Sequence, residues 1–165
     1  PRSTLSPSSA ASDVYKRQEL YERIKEKYSS RTSDTVGAVA NDGKTIVAGV
    51  STGGIFLKFP GRIGDSPILG AGFYATKNGG CVATGHGEKI MRSLLCYKAV
   101  KYLGKYAAME AAKKTLDKSY SEIRIRAGII IVDRNGNWGV YHTTENFPVA
   151  VVTEDEIIVK DYWRD

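Results

Sequence analysis

Histidine and cysteine, which often act as bases, nucleophiles or metal ligands, are scarce in this sequence. A serine triad needs a histidine that a third group orients, and only His86 and His142 are present. His142 falls in a predicted strand, where we expect a structural role. Cys81 and Cys96 do not form a paired metal spacing such as CxxC. A zinc site or a disulfide framework is therefore unsupported, and we expect reduced, structural thiols.

Two glycine-containing runs look like nucleotide-binding loops but fail on spacing or context. Residues 37–45 end in GKT, as a phosphate-binding loop does, but five residues rather than four separate the glycines. A hairpin turn explains this run better. Gly70, Gly72 and Ala75 fit the pattern GxGxxA, yet no helical sequence follows them. Neither run is therefore expected to bind a nucleotide.

Four other segments carry a more specific signal, because they occur together and in a fixed order. They are DTVGAVA from Asp34, STGG at 51–54, PGRIGDSPILGAGFYA at 60–75 and ATGHGE at 83–88. Together they resemble the plant-type asparaginase and isoaspartyl aminopeptidase family, from roughly Thr32 to the C-terminus. The resemblance implies a precursor that cuts itself between Asp34 and Thr35. Thr35 would then be the first residue of a catalytic β subunit.

An N-terminal threonine can perform amide hydrolysis without a histidine. Its hydroxyl is a poor nucleophile until a base removes the proton, and the α-amino group exposed by cleavage, with a pKa of about 7.7 to 8.0, can be that base. Attack on a side-chain amide would give an oxyanion, then an acyl-enzyme on Thr35 Oγ1, and finally hydrolysis by water. The resemblance implies L-asparagine or β-aspartyl peptides as substrates.

Family roles carry over to the matching positions of this sequence. Thr52, in STGG, corresponds to a second threonine whose hydroxyl contacts the nucleophile. Arg62 and Asp65, in GRIGDSP, correspond to the pair that holds the α-carboxylate and α-amino group of the substrate, which suits a guanidinium and a carboxylate. Thr84 and Gly85, in ATGHGE, match the position of the oxyanion hole, where a hydroxyl and a backbone N–H can face developing charge.

The chain also departs from the family pattern. In the family an α subunit precedes this segment and contributes part of the sheet, active-site contacts and a metal-binding loop. We therefore expect no cofactor or metal in this chain, an α subunit as partner, and a dimer of αβ units. Asp34 is more typical of the glycosylasparaginase branch, whereas STGG favours the asparaginase branch. Removal of glycan from asparagine, and an inactive truncated precursor or partner-binding domain, remain as alternatives.

Strand and helix patterns alternate along the chain. Residues 35–40 and 45–51 are β-type runs joined by Asn-Asp-Gly, which predicts a hairpin. The stretch 49–87 holds 11 of the 17 glycines, so we expect tight turns there. Two helical stripes follow at 90–103 and 107–116, and then strands at 125–132, 138–142, 149–152 and 157–159. This order predicts an α+β fold. The resemblance implies half of an αββα sandwich of the N-terminal-nucleophile hydrolase type.

The net charge of +6 comes largely from the predicted helices. Between Glu88 and Tyr120, eight Lys and Arg oppose three acids, with tyrosines among them. Solvated faces of amphipathic helices explain this pattern better than a nucleic-acid surface, because no RNA- or DNA-binding motif accompanies it.

Amino-acid composition and hydrophobic pattern divide the chain into three parts. Residues 1–18 are predicted to be a disordered tail, and SSAASDVYKRQ resembles translated sequencing-adapter read-through. Residues 19–34 would be the end of an α-subunit segment, with a short helix at 19–28, and residues 35–165 the catalytic β-subunit-like domain. No apolar run approaches the roughly 20 residues needed to cross a membrane, and the start lacks a secretory signal, so we expect a cytoplasmic protein.

Overall fold

A computed structural model describes Glu19, residues 21–23, residues 33–55 and residues 58–160. The predicted tail at 1–18 lies outside the described residues, as does most of the predicted helix at 19–28. Glu19 and residues 21–23 of that helix are helical and exposed. Eleven elements follow from residue 33 onward.

The strands and helices come in the order strands, helices, strands, which confirms the predicted α+β class. The strands are β1 (Ser33–Asn41), β2 (Ile46–Ile55), β3 (Phe73–Thr76), β4 (Gly79–Gly85), β5 (Ala127–Asp133), β6 (Trp138–His142), β7 (Val149–Val152) and β8 (Ile157–Lys160). The helices are α1 (Gly87–Ser93), α2 (Leu95–Tyr102) and α3 (Ala108–Ile123).

The predicted N-terminal hairpin forms from β1 and β2, which pair antiparallel. Its turn is fixed by side chains that accept backbone hydrogen bonds. Asn41 Oδ1 accepts from Gly43 N at 2.8 Å, and Asp42 Oδ1 accepts from Lys44 N at 2.8 Å and from Thr45 N at 2.6 Å. Gly43 has a φ of 83°, which favours glycine. The GKT sequence is therefore part of a hairpin turn, as expected.

Helices and hairpin lie on opposite faces of a four-stranded antiparallel sheet of order β3-β4-β5-β6. The main core lies between this sheet and the helices, where Leu95, Leu116, Ile129 and Ile131 are fully buried. Cys81 and Cys96 are free and buried in the same core. Burial raises the pKa of the Cys96 thiol well above its usual range, which suits a structural thiol.

The glycine-rich stretch contains a central strand that its composition did not predict. β4 lies between the hairpin and the helices, and its glycines leave room for both. A Cβ on Gly79 would lie 2.1 Å from Leu103 Cδ1, on the helix side. A Cβ on Gly80 would lie 2.9 Å from methyl carbons of Val39 and Ile46, on the hairpin side. Here the glycines permit close packing of layers as well as turns.

The prediction of one continuous helix over 90–103 was wrong at a single residue. Leu94 has a φ of 47° and separates α1 from α2, so the described chain contains three helices after β4 rather than two. Its N–H donates to Met91 O, and its C=O accepts from Lys98 N. Because a left-handed residue costs about 1–2 kcal/mol, tertiary packing rather than local preference sets this break.

The C-terminal strand predictions are confirmed, with β5 beginning two residues later than expected at Ala127. Within the described ranges, the last two strands, β7 and β8, pair only with each other. They contact a small second core around Val140, Phe147 and Val149. Among the described residues, no helix is both long and apolar enough to cross a membrane.

Candidate active site

Two threonine hydroxyls meet near one end of the hairpin. Thr35 on β1 and Thr52 on β2 are direct cross-strand partners, so their side chains share a face. The Thr35 hydroxyl donates to Thr52 Oγ1 at 3.1 Å, and the backbone N–H of Gly54 donates to the same oxygen at 2.9 Å. Thr52 Oγ1 thus accepts one hydrogen bond from Thr35 and one from the backbone, and the second helps to hold it beside Thr35.

The packing of the hairpin on the sheet gives a register between β1 and β4, which can be extended to Thr35 and Thr84. Val39 lies against Gly80, and Gly37 lies against Val82, with 3.2 Å between Val82 Cβ and the position of a Gly37 Cβ. Each step of two residues backward along β1 corresponds to two residues forward along β4. Because strand side chains alternate with a period of two, one further step of this register leads from Gly37 and Val82 to Thr35 and Thr84, and Thr84 is on the same face of β4 as Gly80.

Gly85 ends β4 in a conformation that excludes other residues. Its φ is 141°, and a Cβ there would lie 2.3 Å from Arg126 O and 2.6 Å from Ala127 Cα. The backbone of β5 therefore approaches Gly85 more closely than any side chain would allow. Gly85 lines the same cleft as Thr35 and Thr52.

Arg62 and Asp65 lie in the loop after β2 and are braced by the start of α1. Arg62 Nε donates to Glu88 Oε1 at 2.9 Å, and Arg62 Nη2 lies 2.9 Å from the same oxygen. A Cβ on Gly87 would lie 2.8 Å from Asp65 Oδ1 and 3.0 Å from Arg62 Nη2. The absent side chain of Gly87 therefore makes room for the guanidinium and the carboxylate to lie together.

Asp65 is a buried carboxylate with unused hydrogen-bonding capacity. It is 7% exposed, and its Oδ2 has no hydrogen-bond partner within the described part of the chain. Burial raises the pKa of Asp65, while its backbone hydrogen bond and the charge of Arg62 act in the opposite direction. A buried acceptor of this kind suits a cationic donor that arrives from solution.

These groups surround one open cleft of about 420 Å³. Thr35, Thr52, Arg62, Asp65 and Gly85 all line it, so the structure brings together five of the six residues carried over by resemblance. Thr84 is close in register but is not part of the lining. Asp34, the other residue of the predicted cleavage site, directly precedes Thr35 in β1.

Two charged residues of this region were missed by sequence reasoning. Lys58 lines the cleft, and its Nζ lies 2.9 Å from the position of a Cβ on Gly54, beside the threonine pair. Glu88 is the partner of Arg62. The motif ATGHGE contains Glu88, but its pairing with a residue 26 positions earlier leaves no periodic signal in the sequence.

The histidines take no part in the threonine pair. His142 Nδ1 lies 2.8 Å from Thr144 O, and its ring stacks on Phe147 with centroids 5.4 Å apart, which fits the structural role expected for it. His86 is exposed, with Nδ1 3.5 Å from Glu88 Oε2. In the part of the chain that the structure describes, no group of three or more His, Cys, Asp or Glu could hold a metal ion.

Comparison with known proteins gives a consistent group of relatives. A model of the family described as Asparaginase matches residues 4–160. A plant-type L-asparaginase of Pyrococcus furiosus is 44% identical over 141 residues, which cover 83% of this chain and 45% of that protein. An isoaspartyl peptidase/L-asparaginase of Mus musculus is 40% identical over 130 residues, 77% of this chain and 40% of that protein. The chain spans less than half the length of these relatives.

Proposed function

Since this chain belongs to the asparaginase family, we propose that it is the catalytic part of an amidohydrolase whose nucleophile is Thr35. The substrate is L-asparagine or a β-aspartyl peptide, in keeping with the names of the relatives. The observation that carries the proposal is the pair of threonine hydroxyls, 3.1 Å apart, in a cleft that also holds Arg62 and Asp65.

The first step makes the catalyst. Hydrolysis of the peptide bond between Asp34 and Thr35 frees the α-amino group of Thr35, which can accept the proton of Oγ1. Oγ1 then attacks the side-chain carbonyl carbon of the substrate, and the carbonyl oxygen becomes an oxyanion. Thr52 Oγ1 accepts hydrogen bonds from Gly54 N and from the Thr35 hydroxyl, and we propose that the second bond positions Oγ1 of Thr35 until the α-amine takes its proton.

The second half of the reaction passes through an ester. The leaving nitrogen takes a proton from the α-ammonium of Thr35 and departs as ammonia or an amine, leaving an aspartyl ester on Oγ1. Water then attacks this ester as the α-amine of Thr35 takes its proton, the oxyanion forms again, and aspartate is released when Oγ1 receives that proton from the α-ammonium. Thr84 Oγ1 and the N–H of Gly85 are the donors proposed for both oxyanions.

Substrate orientation follows from the charges around the cleft. The guanidinium of Arg62 donates two hydrogen bonds to the α-carboxylate, and Oδ2 of Asp65, which has no partner among the described residues, accepts from the α-ammonium. The amino acid end of the substrate is thereby held by two opposite charges. Its side-chain amide is left to face the threonines.

The remaining family features complete the proposal. We place the hairpin, sheet and helices described above in one half of an αββα sandwich, with an α subunit and its metal-binding loop supplying the rest. The assembled enzyme would be a dimer of αβ units located in the cytoplasm.

Replacement of the nucleophile in the full-length protein tests the function. Wild type, Thr35→Ala and the control Thr45→Ala, at the exposed hairpin turn, would be compared for ammonia release from L-asparagine and amino acid release from β-aspartyl dipeptides. Thr35→Ala should lose essentially all turnover, and Thr45→Ala should keep it. Undiminished turnover in Thr35→Ala would defeat the proposal.

The same assay separates the alternatives. Glycosylasparagine is added as a competing substrate. If it is cleaved faster than L-asparagine, the protein belongs to the glycan-removing branch. A wild-type protein that stays intact and turns over none of these substrates would support the inactive, partner-binding reading.

A further inference from the structure

The contact between Arg62 and Glu88 uses one particular edge of the guanidinium. Nε donates to Glu88 Oε1 at 2.9 Å, and Nη2 lies 2.9 Å from that same oxygen. Both nitrogens belong to the side edge of the group. The end edge, formed by Nη1 and the second N–H of Nη2, is not used by this carboxylate, and it has the geometry that grips a carboxylate bidentately.

Two glycines limit where the guanidinium can lie. A Cβ on Gly64 would be 3.0 Å from Nη1, and a Cβ on Gly87 would be 3.0 Å from Nη2. The group therefore fits closely against two backbone segments, and its side chain is only 16% exposed. Glu88 supplies the polar contact that fixes the rotation of the guanidinium within this space.

Glu88 is well placed to provide a fixed anion. It is in the first turn of α1, directly after Gly87. Its backbone hydrogen bond and then the bond from Arg62 lower the pKa of Glu88, so the carboxylate stays charged at neutral pH. Negative charge at a helix start is also favoured by the helix dipole.

We infer that Glu88 is a positioning residue, which holds Arg62 by its side edge so that the end edge faces the α-carboxylate of the substrate. This inference rests on the proposed function, because it assumes that Arg62 binds that carboxylate. Glu88 itself does not touch the substrate in this account.

The competing reading is that Glu88 merely balances the charge of Arg62 at the surface, where its side chain is 48% exposed. The two readings predict opposite results when the carboxylate is deleted. If Glu88 only neutralises charge, its removal strengthens the attraction of Arg62 for an anion. If Glu88 orients the guanidinium, its removal weakens binding, and an uncharged oxygen acceptor restores it.

Affinity for L-aspartate, the product, tests the inference by calorimetry on the cleaved full-length protein. Glu88→Ala should weaken binding by about tenfold, whereas Glu88→Gln, which keeps an oxygen acceptor for Nε, should stay within about threefold of wild type. Glu110→Ala, which removes an exposed acid paired with Lys114 on α3, should leave binding unchanged. The cleaved fraction of each variant is measured by mass, and binding is compared per cleaved protein.

A second ligand separates orientation from general damage. L-aspartic acid α-amide lacks the α-carboxylate, so Glu88→Ala should change its affinity by less than about twofold. Equal losses for both ligands, unchanged binding of L-aspartate, or tighter binding in Glu88→Ala would each overturn the inference. The expected binding pattern without turnover of any substrate would instead defeat the proposed function and leave the role of Glu88 standing.

Discussion

At the residue scale, the site contains a carboxyl group, that of Asp65, whose burial reduces the stability of the folded protein. Asp65 is buried, one of its oxygens has no hydrogen-bond partner among the described residues, and the burial raises its pKa. A carboxyl whose pKa is raised on folding holds its proton more tightly in the folded protein. Stability is therefore lost as the pH rises from the unfolded pKa through the folded pKa, and the loss is complete above both.

Asp65→Asn should consequently stabilise the folded protein but reduce its catalytic activity. At pH 7 the unfolding midpoint should rise by roughly 2 °C or more, and this gain should shrink as the pH falls through the raised pKa of Asp65, where the carboxyl becomes protonated. The kcat/KM for L-asparagine should fall by about 10²-fold, because the substrate ammonium loses its partner.

The control for this variant is Asp155→Asn, at an exposed turn. Thermal melts across the pH range and steady-state kinetics provide both measurements. A midpoint for Asp65→Asn that stays below that of wild type at every pH would contradict the assignment of Asp65 as a strained carboxylate.

The site residues that belong to short sequence motifs could be predicted from the sequence. Thr35, Thr52, Arg62, Asp65 and Gly85 were identified through the resemblance and line one cleft. Lys58 and Glu88 were not, because their importance depends on how the loop after β2 folds back onto Gly54 and onto the start of α1. Such contacts are set by tertiary packing and leave no periodicity in the chain.

At the element scale, alternation and turn chemistry predicted the hairpin and the C-terminal strands, since each is determined locally. β4 was not predicted, because its glycines reflect neighbours above and below the strand rather than its own conformation. The helix break at Leu94 was likewise not predicted, since an apolar helical pattern does not indicate which residue adopts a left-handed conformation. β4, one of the two strands that were not predicted, carries Thr84 and Gly85, and the other is β3.

The packing of the hairpin on β4 should be sensitive to a single methyl group. In Gly80→Ala the new Cβ would meet Val39 and Ile46 methyl carbons at 2.9 Å, so the hairpin must shift. We expect a loss of about 1–3 kcal/mol in the free energy of unfolding. Gly49→Ala, where a Cβ meets nothing within 4 Å, should change it by less than about 0.5 kcal/mol.

Chemical denaturation of both variants gives these free energies. Equal stability of Gly80→Ala and Gly49→Ala would show that the hairpin does not pack against β4 as described. The same packing register is the basis for expecting Thr84 near Thr35, so that result would also remove the support for Thr84 as an oxyanion donor.

At the scale of the whole molecule, the surface separates into a basic helical side and an apolar hairpin side. Lys101 lies 5.3 Å from the centroid of Tyr97, and Lys114 lies 4.8 Å from that of Tyr106. These aromatic faces already carry cations of the same chain, so they are poorly placed to stack on nucleic acid bases. The cationic helices fit the solvated surface that the sequence suggested.

The outer face of the hairpin carries exposed apolar side chains. Val36 is 69% exposed and Val47 59% exposed. We therefore expect the 165-residue chain, expressed alone, to self-associate in sedimentation experiments. Val36→Thr with Val47→Thr should shift it toward monomer, and Glu154→Gln, at the exposed turn between β7 and β8, should not. A chain that is monomeric without any substitution would contradict this expectation.

The central claim is that the reactivity of Thr35 arises from an amine that the protein exposes by its own cleavage. Intact mass and N-terminal sequencing of the purified full-length protein test it most directly. We expect a fragment that begins at Thr35, formed without added protease and absent from Thr35→Ala. A protein that hydrolyses amides at full rate while residues remain joined ahead of Thr35 would contradict it.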